Sequence, residues 1–170
     1  SLNIFLEEIY FPLLERLGIN LFIGGSLSFA ENYNNLSTNI FSLGEVENPY
    51  PLIAATKNNL LFVTQGTGFP TKVIEALTLS QCFSAYHRSF NDLAERASSQ
   101  FYLPDNYMAY AADIIVLNVL RPLRLSRSKA GRRFASEVFS FEKSITERSE
   151  LLGIKNPLKS SAHKCDSLFH

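Results

Sequence analysis

The sequence predicts an α+β domain: an N-terminal helix, a small, mostly antiparallel sheet, then a long amphipathic helix and two further C-terminal helices. Three observations carry that expectation. Short apolar segments bounded by Gly, Asn and Pro crowd the stretch from about residue 19 to 65. Apolar residues then recur at steps of three and four from about residue 71 to 153. The composition is globular, with 170 residues, 46% apolar and 19% charged. A chain of about 150 residues removes roughly 68–70% of its extended surface from water, enough for one core without staples. The expected division is one domain over 1–153 and a tail over 154–170, loose or docked on a partner.

Leu2 to Leu17 places apolar residues at 2, 5, 6, 9, 13 and 17, a helical spacing, with Gly18 where a left-handed residue would end it and Pro12 as a place to break. Ile19 to Ile23, Thr38 to Leu43 and Leu52 to Ala55 read as short strands. Two apolar runs, Leu52–Ala55 and Leu60–Val63, flank Asn58-Asn59 and predict a hairpin, because Asn tolerates the positive φ of primed turns. Runs this continuously apolar imply strands covered on both faces, or on one face plus an oligomer contact. Ala76, Leu79, Phe83, Tyr86, Phe90, Leu93 and Ala97 predict one long helix laid on that sheet. Pro104-Asp105-Asn106 offers a capped start to a helix that runs to about Leu120, before Pro122. A last helix is expected from about Arg132 to Leu152, closed by Gly153.

Several classes are set aside. The most apolar stretch, Tyr107 to Leu120, is interrupted by Asp113 and falls short of the roughly 20 residues a bilayer crossing needs, so no membrane partner is expected. Ser1-Leu2-Asn3 reads as the start of a trimmed or processed chain rather than of a signal peptide. Cys82 and Cys165 read as free thiols, which fits an intracellular, reducing compartment, cytoplasmic or equivalent.

The 16 basic and 16 acidic side chains cancel, but not evenly. Residues 1–120 hold 11 acids and 5 bases, a net of −6, and residues 121–170 hold 5 acids and 11 bases, a net of +6. The shift has a local source: Arg121, Arg124, Arg127, Lys129, Arg132 and Arg133 fall within thirteen residues that contain no acid. Arg matches phosphate oxygens in pairs, and Ser126 and Ser128 add hydroxyls of the kind that contact phosphate. The functional reading is a non-enzymatic binding or assembly module whose basic helical surface contacts nucleic acid or an acidic protein. Two alternatives stand beside it. The arginines could ring a helix junction and pair with the acidic first half, or the acidic half of one subunit could meet the basic half of another in a homo-oligomer or larger assembly.

Glycine turns supply weaker candidates. Gly66-Thr67-Gly68 lies between a predicted strand and a predicted helix, where backbone amides approach phosphate, but position 71 is Thr rather than a third small residue. Gly24-Gly25-Ser26, followed by Leu36-Ser37-Thr38-Asn39-Ile40-Phe41, resembles the start of the nucleotidyltransferase pattern over about twenty residues. That resemblance implies a nucleotide-binding enzyme whose metal centre is disabled, because Asn39 and Phe41 stand where the two carboxylates would bind Mg²⁺. His163, Cys165, Asp166 and His170 lack zinc-site spacing, and Cys82 and His87, five apart, do not meet on a helix. No catalytic constellation, metal or cofactor is expected.

Overall fold

The computed structural model describes residues 2–25, 33–64 and 71–139. The chain divides into two units, residues 1–134 and 135–170, and the strands belong to the first. Its opening helix begins as α1 (Leu2–Phe5), widens into a π-helical segment (Leu6–Leu14) and tightens to a 3₁₀ turn (Glu15–Leu17). Pro12 sits inside the wide segment without breaking it, and Gly18, at φ 66°, ends the helix in the left-handed region as its position predicts. Phe5, Leu6, Ile9, Tyr10 and Leu14 all turn to the core.

The strands are where sequence and structure part. β1 (Leu21–Gly24) pairs with β2 (Ile40–Gly44), and β3 (Asn59–Leu61) with β4 (Phe83–Ala85). Both pairings are parallel, not antiparallel. The hairpin at 52–63 is absent: Tyr50–Ala55 is a helix, α2, with Pro51 in its first turn, where a missing N–H costs nothing. Asn58 and Asn59 do not take positive φ, since among the described non-glycine residues only Asn91 does. Their amides serve differently. Asn59 Nδ2 donates to the Ile53 carbonyl (3.0 Å) and Thr56 Oγ1 (2.9 Å), and Asn58 Nδ2 donates to Ser84 Oγ (2.9 Å).

The long helix predicted over residues 76–97 is four elements. α3 (Thr71–Leu79) connects the parallel strands β3 and β4 in a βαβ arrangement, and β4 is buried at all three positions. A 3₁₀ segment (His87–Leu93), kinked at Asn91 with φ 46°, then leads into α4 (Ala94–Ser98). The three-and-four spacing persisted because Ala76, Phe83, Tyr86, Phe90 and Ala97 are all buried, each from one of these successive elements or the turn between them.

α5 (Tyr107–Val119) begins as the sequence predicts, with Asn106 Oδ1 accepting the Ala109 N–H at 2.9 Å. One extended residue, Leu120, separates it from α6 (Arg121–Val138). This last helix starts at 121 rather than 132, with Pro122 tolerated in its first turn, so the basic block is regular helix; its predicted extension beyond residue 139 lies outside the described residues. Two aromatic groups fill the interior: Phe5, Phe62, Tyr86, Tyr107 and Tyr110 on one side, and Phe83, Phe90, Phe101 and Phe134 on the other. Gly131 lets α6 lie against the second group, because a Cβ there would run into the Phe83 ring and come within 3.2 Å of Leu77 Cδ2.

Candidate functional site

The six cations of α6 divide by their position around the helix. Arg127 turns inward, and its Nη2 donates to Asp113 Oδ1 at 2.8 Å, with only 9% and 5% of the two side chains exposed. Its Nη1 donates to the Tyr102 carbonyl at 3.0 Å, and its guanidinium lies 5.7 Å from the centre of the Phe83 ring. Burial raises the Asp113 carboxyl above its usual range, although Arg127 and a hydrogen bond from Ser84 pull it back. Arg124 Nη1 donates to the carbonyls of Leu117 and Asn118, both at 2.9 Å, and so satisfies acceptors at the end of α5 that have no partner within that helix. Both arginines bind across the α5–α6 junction, Arg127 to an acid and Arg124 to backbone carbonyls.

Arg121, Lys129, Arg132 and Arg133 are exposed. At 100° per residue they occupy an arc of about 120° on α6, and Arg121 and Arg132 stand about 16 Å apart along its axis. Arg133 Nε reaches Gln100 Oε1 at 3.5 Å. No carboxylate among the described residues pairs with Arg121, Lys129 or Arg132.

Arg121, Arg124, Leu125, Ser128 and Arg132 follow one stripe of the helix and form one wall of a cleft of about 260 Å³. Leu79, Ser80 and Gln81, at the end of α3 and just beyond it, form the other. No acid lines it. Ser80, Gln81 and their proximity to α6 escape sequence reasoning, because these residues fall inside the span predicted as one uninterrupted helix. Asp113 left one sequence signal, as the single charge in an apolar run.

The glycine candidates contribute less. Gly25 takes φ 118° and donates its N–H to the Gly44 carbonyl at 2.8 Å, so that amide closes the β1–β2 ladder rather than facing a ligand. Ser26, Gly66 and Gly68 lie outside the described residues, as do His163, Cys165 and His170. Phe41, at a carboxylate position of the nucleotidyltransferase pattern, stacks on Phe22 with ring centres 5.0 Å apart. Among the described residues no three His, Cys, Asp or Glu side chains gather as metal ligands, and no helix is long and apolar enough to cross a membrane. Cys82 is buried and unpaired, and burial pushes its thiol up to about 11. The chain matches no known protein family, no curated protein and no solved structure.

Proposed function

We propose that the protein is a binding module that docks the phosphate backbone of a nucleic acid on the outward face of α6. The supporting observation is the arc of Arg121, Lys129, Arg132 and Arg133, exposed on a helix that the buried Arg127–Asp113 pair and the Arg124 cap hold rigidly in place. Rigid presentation lowers the ordering cost of binding, and about 16 Å of helix matches roughly five phosphates of one strand at 3.4 Å each. Such contacts position a nucleic acid without reading its sequence.

The test is anisotropy of labelled single- and double-stranded oligonucleotides across a salt series. Four cation contacts predict a log–log salt slope of about −3 to −4, a loss of about 50- to 150-fold in affinity between 50 and 200 mM salt. Replacing all four residues with Ala abolishes the slope. No binding at low salt, or equal binding of polyglutamate, overturns the assignment.

A further inference from the structure

We propose that the cleft between the end of α3 and α6 is a seat for one phosphate monoester, with Arg121, Arg124 and Arg132 on its dianionic head. This rests on reading α6 as a phosphate-binding surface and names the group it grips most tightly. Three arginines line a cleft of about 260 Å³ that no carboxylate lines. One of them is already fixed: Arg124 spends Nη1 on the Leu117 and Asn118 carbonyls, which leaves three N–H donors of the same fork on Nη2 and Nε. Gln81 is tied as well, its Nε2 donating to the Ala54 carbonyl at 3.1 Å, so the far wall is set before a ligand arrives.

Charge selects the monoester. A monoester carries about −1.5 to −2 at neutral pH and three terminal oxygens, which suits three guanidiniums, whereas a backbone diester offers one charge and two free oxygens. Beside the phosphate the open cleft leaves room for the start of the esterified group. Leu79 and Leu125 give that group apolar contact. Lys129 and Arg133 do not line this cleft.

The test uses the full chain and two double variants that remove the same charge, Arg121→Ala/Arg132→Ala and Lys129→Ala/Arg133→Ala. The probes are ribose 5-phosphate, dimethyl phosphate, and one oligonucleotide with either a 5′-phosphate or a 5′-hydroxyl, followed by amide NMR. Ribose 5-phosphate should shift residues 79–81 and 121–132 saturably and bind at least about tenfold tighter than dimethyl phosphate, as lost charge-assisted hydrogen bonds imply. The cleft variant should lose about tenfold or more and the ridge variant less than about twofold. Leu125→Glu, which adds an acid without removing an arginine, should abolish the response and guards against a folding artefact in the double variant. Preference for the 5′-phosphate oligonucleotide identifies a nucleic-acid end as the source; indifference with ribose 5-phosphate binding intact identifies a free phosphorylated metabolite. Saturable ribose 5-phosphate binding without oligonucleotide binding overturns the backbone reading and leaves the seat standing. No saturable response to ribose 5-phosphate, with oligonucleotide affinity falling equally in the two double variants, overturns the seat and leaves the backbone reading standing.

Discussion

Replacing Arg127 with Met, with Asp113 left in place, separates an arginine that holds the fold from one that holds a ligand. The two charges meet at 2.8 Å. At an effective dielectric of about 20 that separation gives about 6 kcal/mol of attraction. Several kcal/mol of lost hydration per ion oppose it. The direction of the Asp113 shift, upward from 3.8 with burial as its first cause, says that desolvation outweighs the attraction at the carboxylate. The intact pair therefore contributes little net stability, whereas Arg127→Met strands a buried carboxylate and the Tyr102 carbonyl and costs about 3–5 kcal/mol. Urea denaturation at neutral pH reads this as a lower midpoint at unchanged slope. The double variant Asp113→Leu/Arg127→Met should recover most of the loss. The sign of the pH dependence comes from linkage. With the folded carboxyl raised above 3.8, the contribution of Asp113 to stability is fully present below that value and is lost as pH rises through the folded pKa. The deficit of Arg127→Met should shrink in acid, where Asp113 is protonated. A deficit below about 1 kcal/mol at neutral pH, or one equally large in acid, refutes the stranded-charge reasoning.

Three other contacts make equally definite demands. Gly131→Ala gains up to about 1 kcal/mol of helix propensity but drives a methyl into Phe83, at about 1–3 kcal/mol, so thermal melting should show net destabilisation; a stabilised variant would mean that α6 does not lie on β4. Asn106→Ala removes the cap on Ala109 and should cost about 1 kcal/mol in chemical denaturation, while Asn106→Asp should cost little. In a Cys165→Ser background Cys82 should react with a thiol reagent only as fast as the protein opens. Its folded pKa of about 11 against 9.0 also removes stability as pH rises between those values; rapid labelling of the native protein would contradict its burial.

What the sequence shows and what it hides both have physical causes. The opening helix, its Gly18 stop and the Asn106 cap depend on neighbours within one or two turns, so spacing and a single side chain reveal them. β4 is hidden because a strand buried on both faces has no period of two, and three residues are too few to interrupt a three-and-four rhythm running through Phe83 and Tyr86. β3 is hidden for a related reason. Its partner lies more than twenty residues away across α3, so apolar residues on both sides of Asn58-Asn59 resemble a local pair. Parallel pairing leaves no turn in the sequence to announce it.

The basic block shows the same limit at the level of a site. Composition locates all six cations, but their roles depend on azimuth, and azimuth depends on knowing that a helix starts at Arg121 with Pro122 inside it. Once that start is set, the three-residue step from Arg124 to Arg127 reads differently: it keeps both arginines on the side of α5, where the helix-end carbonyls and Asp113 wait for them. Arg132 follows Arg121 by three turns and therefore shares its side, facing the end of α3 instead. An arginine's function on α6 is thus decided by which neighbours its azimuth meets: an acid for Arg127, an acid-free cleft for Arg121 and Arg132, and for Arg124, between them, both the helix-end carbonyls and the cleft. Substitutions that rotate the helix, above all at Gly131, should disturb the fold and the anion surface together.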